Sequence, residues 1–346
     1  MRRGVDRLRR VAKRLGKRRA RRALILLYHR IATPGSDPWA LSVAPARFAE
    51  HLEVLREYAS PIPLGRLARD LREGSVPDRS VVVTFDDGYV DNLHVAKPLL
   101  VRHNVPATVF VPSGTIGSER EYWWDELDRL LLQPGALPEK LRLSVDGDQY
   151  RWDLGEAARY GDEEGRRYRR WRAWKEAPTA RHSLYRSLWE LMHPMTEAER
   201  QGVLAMLREW AGVEPTIRSE YRSLSPEELV ALSQGGLVEI GAHTVTHPSL
   251  SSLPVASQRY EIRESKARLE ETLGRPVRSF AYPYGQRSDY SAQTIDLVRE
   301  AGYACSCSNF AGRVERSTDP FQLPRIFAQN WNRDNFAKQL QRWFDG

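Results

Sequence analysis

The stretch that most constrains the fold runs from Val81 to Tyr89 and reads Val-Val-Val-Thr-Phe-Asp-Asp-Gly-Tyr. Such a run of β-branched and aromatic residues is typical of a buried strand, and here it ends in two adjacent carboxylates. Because neighbouring side chains on a strand point to opposite faces, we expect different tasks for Asp86 and Asp87. One would hold a metal ion and the other would handle a proton. A plain Asp-Gly turn after a strand is the alternative interpretation.

A second polar cluster follows another short apolar run. Residues 237–247 read Leu-Val-Glu-Ile-Gly-Ala-His-Thr-Val-Thr-His, which places His243 and His247 four residues apart. On a helical turn this spacing brings both imidazoles to one side. Two neutral imidazoles and one carboxylate form a ligand set for a divalent metal with open positions for water. Surface histidines recur at this spacing by chance, so the pair is informative mainly because it follows a strand, as Asp87 does.

Taken together, Thr-Phe-Asp-Asp-Gly at 84–88 and His-Thr-x-x-His at 243–247 resemble motifs of the polysaccharide deacetylases. This is the NodB-homology family, also called carbohydrate esterase family 4. Phe-Ala-Tyr-Pro-Tyr-Gly at 280–285 resembles the family's Arg-x-Pro-Tyr segment. The resemblance implies an α/β fold, a distorted (β/α)7 barrel of NodB type. The alternation of predicted strands and helices along the chain agrees with a parallel barrel.

The resemblance also implies a role for each motif residue. Asp87, His243 and His247 would bind a divalent metal, most often Zn²⁺, and Co²⁺ or Ni²⁺ suit the same ligands. Asp86 would be the general base that takes a proton from the metal-bound water. Tyr284 would offer its backbone N–H to the developing oxyanion. The implied reaction is hydrolysis of N-acetyl groups on amino sugars.

Two positions depart from the family pattern. Ala281 stands where the family has an arginine that orients the base. Leu323-Pro324-Arg325 stands where the family has Leu-x-His, whose histidine protonates the leaving amine. An arginine stays protonated and is a poor general acid. We therefore expect Arg325 to contact Asp86 in place of the missing arginine, and a salt-bridged strand end is the alternative interpretation of Arg325.

The leaving amine then needs another proton donor, either Asp86 itself or a histidine from elsewhere. His29 is the candidate, because Leu24–His29 is typical of a first barrel strand. The sites of α/β barrels gather at the carboxyl ends of their strands. A hydrogen-bonded structural histidine is the alternative interpretation of His29.

A long insertion separates the two halves of the resemblance. We divide the chain into a basic tail at 1–22, a first barrel part at 23–117, an insertion or cap at 118–223, and a second barrel part at 224–346. The insertion is predicted to be mostly helical, and it holds most of the ten tryptophans of the chain.

Three residues of the insertion are candidates for substrate binding. Trp123, Trp124 and Asp125 follow a barrel strand on the side where the site is expected to open. Aromatic faces stack on sugar rings, and a carboxylate binds hydroxyls, so we expect these side chains to line a glycan cleft. Packing of both tryptophans in a small core of the insertion is an equal alternative, because tryptophan is usually largely buried.

The basic character of the chain belongs to its first 22 residues. They hold 12 of the 53 Lys and Arg residues and one of the 45 Asp and Glu residues, so the remainder carries a net charge of −3. A weak contact of this tail with an anionic membrane surface is one interpretation, and a solvated arm is the other. No nucleic-acid partner is expected, because the tail lacks aromatics and the body has no basic excess.

These observations predict a cytoplasmic enzyme, with the inner membrane surface as a peripheral location, because no long apolar segment or signal peptide is visible. The expected substrate is an N-acetylated glycan of a bacterial surface polysaccharide, or its lipid-linked precursor. A related deacylase that acts on O-acetyl or N-formyl groups is one alternative. A glycan-binding relative without turnover is another.

Overall fold

A computed structural model describes residues 22–345 of the chain. The membrane contact and the cytoplasmic location expected from the basic tail therefore stay predictions, because the tail lies outside this range apart from Arg22. Within residues 22–345, no helix is both long enough and apolar enough to cross a bilayer.

The strands form one large sheet and two small ones. In chain order they are β1 (Ala23–Tyr28), β2 (Ser60–Pro61), β3 (Ser80–Phe85), β4 (Ala107–Val111), β5 (Gly135–Ala136), β6 (Lys140–Val145), β7 (Asp148–Asp153), β8 (Arg159–Tyr160), β9 (Val238–Ala242), β10 (Ser279–Ala281), β11 (Cys305–Cys307) and β12 (Ile326–Phe327).

The helices alternate with the strands of the large sheet in the two barrel parts and cluster in the insertion. They are α1 (Pro45–Tyr58), α2 (Leu64–Arg72), α3 (Lys97–His103), α4 (Trp123–Leu131), α5 (Asp162–Tyr168), α6 (Ala180–Met192), α7 (Glu197–Ala211), α8 (Pro226–Ser233), α9 (Val255–Leu273), α10 (Ala292–Glu300) and α11 (Arg333–Asp345). A π-helical turn, Asn92–Ala96, leads directly into α3.

The large sheet has the order β11-β10-β9-β4-β3-β1-β12, and every neighbouring pair is parallel. The short β2 pairs with β3 off this path. The edge strand β11 meets the segment before β12 through an isolated parallel bridge between Cys307 and Leu323 and not through a strand-to-strand ladder, so the barrel closes incompletely. This confirms the predicted α/β fold of NodB type. Parallel strands collect their carboxyl ends at one edge, and that edge holds the site.

Both faces of the large sheet are buried, which explains why its strands read as continuous apolar runs. In β1, Leu24 and Leu26 belong to the core beneath the outer helices, whereas Ala23 and Ile25 belong to the barrel interior. Helix α2 closes the bottom of this interior with Leu64 and Leu67.

The insertion has a hydrophobic core of its own. Helices α4, α6 and α7 pack on one another, and the β6–β7 hairpin packs on α7. Helix is therefore the commonest regular structure of the insertion, as predicted, but fewer than half of residues 118–223 are helical, and the insertion also contains two small antiparallel sheets. The assigned domain boundaries stay a prediction.

Candidate metal centre and catalytic cleft

Asp86 and Asp87 lie at the carboxyl end of β3, and both carboxylates are buried. Asp87 has a φ of +73°, which lies in the left-handed region that non-glycine residues rarely adopt. This turn directs both carboxylates into one cleft instead of to opposite sides of the sheet. The expectation of opposite faces is therefore wrong, because strand geometry ends at Phe85. The two carboxylates nevertheless have different partners.

Asp87, His243 and His247 converge at this end of the sheet. One ligand atom from each residue lies within 4.8 Å of the other two, and all three side chains are buried. Asp87 Oδ1 is 3.7 Å from His243 Nε2 and 3.4 Å from His247 Nε2. Within residues 22–345 this oxygen is buried and accepts no hydrogen bond. A buried carboxylate oxygen without a donor, aimed at two imidazole nitrogens, fits a divalent cation.

The surroundings keep the two imidazoles in the form that binds metal. His243 Nδ1 lies 2.7 Å from the carbonyl oxygen of Ala281, so the proton resides on Nδ1 and the lone pair of Nε2 faces Asp87. Burial lowers the pKa of His243, and it lowers the pKa of His247 well below its usual value. Burial, together with the charge of Asp86, raises the pKa of Asp87 well above its usual value. A cation between these groups would offset the cost of burying the charged carboxylate of Asp87.

The two histidines do not lie on a helical turn, so that interpretation of their spacing is wrong. They belong to a loop after β9 in which Thr244 and His247 have φ values of +68° and +56°. The backbone N–H of His247 donates to Thr244 Oγ1 at 3.0 Å. The buried Glu261 accepts hydrogen bonds from the N–H groups of Val245 and Thr246 at 2.7 and 2.9 Å. The loop is therefore held in its unusual conformation by side chains.

Asp86 is paired with a buried arginine from the other end of the chain. Arg325 Nη1 and Nη2 donate to the two carboxylate oxygens, each at 2.7 Å, and Arg325 Nε donates to Ser308 O at 2.7 Å. The expected contact between Arg325 and Asp86 is therefore present, and its role in turnover stays a prediction. Burial works to raise the pKa of Asp86, but the charges of Arg325 and His243 outweigh it and hold that pKa below its usual value.

Tyr284 also lines the cleft, next to His247. Its φ of +57° is a second sign of backbone strain at this site, where such strain is commonly concentrated. The ring lies 4.7 Å from the ring of His247. Gly285 supports the turn, since a Cβ there would lie 2.8 Å from Asn309 N. Within residues 22–345 the backbone N–H of Tyr284 has no hydrogen-bond acceptor, which leaves it available to a substrate oxygen.

His29 reaches the cleft from the carboxyl end of β1. Burial lowers its pKa to about 4, against the opposing charge of Asp86. Its Nδ1 is buried and makes no hydrogen bond within the described chain. This does not support the alternative of a hydrogen-bonded structural histidine. The charge of the nearby Arg325 also works to lower the pKa of His29.

A Leu-x-His pattern does occur in this chain, at Leu27-Tyr28-His29. Sequence reasoning sought it near the carboxyl terminus and missed it near the amino terminus. The Leu-x-His pattern is therefore present in the sequence, but it precedes the other motifs instead of following them.

The cleft has a volume of about 410 Å³ and is lined by the ligand set, by Asp86 and His29, and by aromatic side chains. The aromatic lining consists of Trp39, Trp124, Trp174, Trp189, Tyr284 and Phe327. Trp174 is 55% exposed, while Trp39 and Trp189 pack against each other with tilted rings whose centroids are 4.3 Å apart. Such a cavity suits a sugar ring, because aromatic faces and a few placed polar groups together give orientation.

Of the three insertion residues proposed to bind substrate, only Trp124 lines this cleft. Trp123 is buried behind it, with its ring 5.2 Å from the guanidinium of Arg200. Asp125 accepts a hydrogen bond from Tyr89 Oη at 2.7 Å and faces away from the cleft. These placements correct the expectation for Trp123 and Asp125. Consecutive residues of a helix point in directions about 100° apart, so the first turn of α4 presents only one of them to the cleft.

Three tryptophans of the cleft were missed by sequence reasoning. Trp39 follows β1 at the same end of the sheet as the site, which is a signal that could have identified it. Trp174 and Trp189 lie in the insertion, and their sequence neighbours do not distinguish them from core tryptophans. Their position depends on how the insertion packs on the barrel.

The fold and the site together define a hydrolase scaffold of NodB type, and comparison with known proteins identifies the family. The family model for polysaccharide deacetylases matches residues 73–136 and 189–306, which is more than half of the chain. The chain therefore belongs to the polysaccharide deacetylase family. The model has no match to residues 137–188, so the central part of the insertion is not described by it.

Individual relatives are distant. YxkH of Bacillus subtilis (strain 168), assigned by name to the polysaccharide deacetylases, is 28% identical over 108 residues, which is 31% of this chain and 37% of that protein. The deacetylase PplD of Streptococcus pyogenes, solved with acetate, has a TM-score of 0.57 at 18% identity, covering 93% of this chain and 99% of PplD. IcaB of Ammonifex degensii has a TM-score of 0.56 at 18% identity, and the match covers 94% of this chain and 98% of IcaB. At these identities the solved structures support the fold.

Proposed function

We propose that this protein is a metal-dependent deacetylase that hydrolyses N-acetyl groups of amino sugars in a bacterial surface polysaccharide or its precursor. The observation that carries the proposal is the buried ligand set of Asp87, His243 and His247 beside the paired carboxylate of Asp86. Both lie in one wall of an aromatic cleft that has room for a sugar ring. Zn²⁺ suits the two nitrogens and one oxygen, and Co²⁺ and Ni²⁺ are alternatives.

The first chemical requirement is a nucleophile at neutral pH. When bound, the metal would supply an acidified water and would polarise the acetyl carbonyl. Asp86 stands beside the ligand set, with Asp86 Oδ2 3.9 Å from His243 Nε2, so its carboxylate can accept the proton of that water. Arg325 holds both oxygens of Asp86 in one orientation and keeps the carboxylate ionised. The pair therefore supplies a positioned base.

The second requirement is control of charge as the amide bond breaks. The backbone N–H of Tyr284 has no acceptor within residues 22–345, so we assign it to the developing oxyanion, and one such donor contributes roughly 10²–10³-fold to the rate. The leaving nitrogen must gain a proton. His29 and Asp86 follow the neighbouring strands β1 and β3, and burial keeps His29 neutral, so we assign to its imidazole the relay of the proton that Asp86 has collected, with direct transfer from Asp86 as the alternative.

The proposal is tested by measuring bound metal and released acetate together. We expect chelation to remove the metal and all detectable turnover of N-acetylglucosamine oligomers, and stoichiometric Zn²⁺, Co²⁺ or Ni²⁺ to restore turnover, because Asp87, His243 and His247 then regain their cation. Unchanged turnover in the metal-free protein would contradict the metal centre. Turnover only on O-acetylated or N-formylated glycans would replace the deacetylase proposal with the related deacylase. Metal and glycan binding without any turnover would replace it with a binding protein.

Replacing His29 with glutamine tests the donor of the final proton. We expect kcat for N-acetylated substrates to fall by about 10²–10⁴-fold, because a general acid contributes this much when the leaving group is an amine. Hydrolysis of a 4-nitrophenyl ester should be much less affected, since its leaving group departs without a proton.

His94→Gln is the matched control, because His94 is exposed and pairs with Glu228 outside the cleft. Equal losses on the amide and the ester in His29→Gln would mean that His29 only shapes the cleft. Unchanged turnover on both would assign the proton to Asp86.

A further inference from the structure

The most cationic stretch of the described chain lies in the insertion, beside the cleft. Residues 165–175 read Gly-Arg-Arg-Tyr-Arg-Arg-Trp-Arg-Ala-Trp-Lys, with six cations, three aromatics and no acid. They fall within the part of the chain that the family model does not match. The segment therefore belongs to this chain's own elaboration of the fold, and its charge is not used by the proposed reaction.

This segment runs alongside the loop that follows β1. Arg169 Nη2 donates to Pro34 O at 3.3 Å, and Ala173 N donates to Pro38 O at 2.9 Å. The two segments therefore lie side by side over about five residues. At its far end, Trp174 reaches the catalytic cleft, where Trp39 of the loop also lies.

A second cavity, of about 420 Å³, opens at the near end of this segment. Arg166 and Arg169 line it, and its aromatic walls are Tyr160, Tyr168, Trp171 and His182. Tyr160, Trp171 and His182 are buried, whereas the two arginines are exposed at its rim. Asp162 is the one acid among the lining residues, so the cavity has an excess of positive charge.

The guanidinium groups of this cavity are largely uncommitted. Arg169 donates one hydrogen bond, to Pro34 O, and Arg166 has no ion pair within the described residues. By contrast, the neighbouring Arg167 donates to Glu163 at 3.0 Å and does not line the cavity. A planar guanidinium binds a phosphate or carboxylate through two parallel hydrogen bonds, which a neutral hydroxyl cannot match.

The two cavities are close enough for one oligosaccharide. Ser36 lines the cationic cavity and Trp39 lines the catalytic cleft. Three residues of extended chain span at most about 11 Å, so the openings lie within a short stretch of glycan. A concave pocket with aromatic walls also suits a sugar-borne anion better than a flat lipid surface.

We propose that the cationic cavity is a second substrate site, which binds an anionic group of the same glycan whose N-acetyl group enters the cleft. The anion is an oxyanion, either the phosphoryl group of a phosphorylated or lipid-linked glycan or the carboxylate of an acidic sugar. The inference rests on the proposed function for the identity of the glycan. It makes an anionic N-acetylated glycan the preferred substrate over a neutral one.

The test compares Arg166→Gln/Arg169→Gln with the control Arg167→Gln. Binding is measured by calorimetry in an Asp86→Asn background, so that it does not depend on turnover. The probes are a hyaluronan tetrasaccharide, an N-acetylglucosamine oligomer carrying a terminal phosphate monoester, and the neutral N-acetylglucosamine tetramer. We expect the double variant to bind one or both anionic probes at least tenfold more weakly and the neutral tetramer unchanged. Arg167→Gln should match the parent on all three.

The pattern of losses identifies the anion. A loss confined to the phosphate probe assigns a phosphorylated glycan, and a loss confined to hyaluronan assigns an acidic sugar. The affinity of the anionic probe should also fall as salt is raised, because the arginines are exposed. Equal affinities of parent and double variant for all three probes would overturn the inference, as would an equal loss in Arg167→Gln.

Turnover by the protein with intact Asp86 separates this inference from the proposed function. If the double substitution leaves acetate release from the neutral tetramer unchanged and raises KM only for the anionic probes, the result supports both the second site and the deacetylase. Selective loss of anion binding without acetate release from any probe would retain the second site and reject the deacetylase. Acetate release with equal KM values in all variants would retain the deacetylase and reject the second site.

Discussion

Replacing Asp86 with asparagine is expected to abolish acetate release while leaving the metal bound. The amide keeps the shape of the carboxylate but cannot accept a proton, and a positioned base contributes about 10²–10⁴-fold to the rate. The ligand atoms of Asp87, His243 and His247 are untouched by this change. Metal content and acetate release measured on the same sample therefore separate the base from the ligand set.

The matched control for Asp86→Asn is Asp319→Asn. Asp319 also pairs with an arginine, Arg299 at 2.9 Å, but on the surface and outside the cleft. It should retain metal and turnover. Turnover of Asp86→Asn near the wild-type rate would show that another group takes the proton. Loss of metal from Asp86→Asn would show that Asp86 acts as a ligand.

Replacing Arg325 with methionine is expected to reduce kcat by about 10²-fold and to destabilise the protein. The base would lose the two hydrogen bonds that orient it, and misplacement of a reacting group by about 1 Å costs this much. Removing one partner of a buried ion pair costs roughly 3–5 kcal/mol in the free energy of unfolding. Arg325→Lys keeps the charge without the planar fork, so we expect partial recovery of stability and less recovery of kcat.

The pH dependence of Arg325→Met distinguishes this pair from ordinary packing. In the wild type the pKa of Asp86 is held below its usual value, so Asp86 stabilises the fold above that value and loses this effect as the pH falls. Without Arg325, burial raises the pKa of Asp86 instead. In Arg325→Met we therefore expect the acid limb of the pH–rate profile to move to higher pH. The loss in free energy of unfolding relative to the wild type should be largest near neutral pH and should shrink towards pH 4.

Arg181→Met is the control for that deficit. Arg181 is equally buried, but it donates only to backbone carbonyls of the insertion, including those of Ala157 and Ala158. It should lose stability without a shift of the rate profile. If Arg325→Met gives the same pH-independent loss as Arg181→Met, the pairing with Asp86 does not control the base.

The motif residues were readable from the sequence because each follows a strand. The apolar runs before Asp86 and before His243 predict β3 and β9, and parallel strands bring their carboxyl ends to one edge. The path between His243 and His247 was not readable. The positive φ values at Thr244 and His247 occur in a loop whose N–H groups donate to Glu261, fifteen and sixteen residues away, and no local spacing reveals this contact.

The tryptophans that line the cleft, unlike the motif residues, could not be identified from the sequence. Trp123 and Trp124 are adjacent in sequence and alike in composition, yet one is buried behind the cleft wall and the other forms it. Trp174, from a charge-dense segment, is the most exposed of the cleft tryptophans. Which tryptophan faces a substrate depends on how the insertion rests on the barrel, and that packing is a property of the whole fold.

The sequence by itself determined the family, the parallel α/β architecture, and the candidate ligand and base residues, because strand patterns and short motifs are local. It also predicted that Arg325 meets Asp86, because chemistry required a partner for the base. Only the tertiary structure decided that this contact is bidentate across 239 residues, that Asp87 turns into the same cleft, and that His29 joins them. The physical reason is that these placements depend on strand pairing and on buried hydrogen bonds between distant segments, which arise only once the barrel has formed.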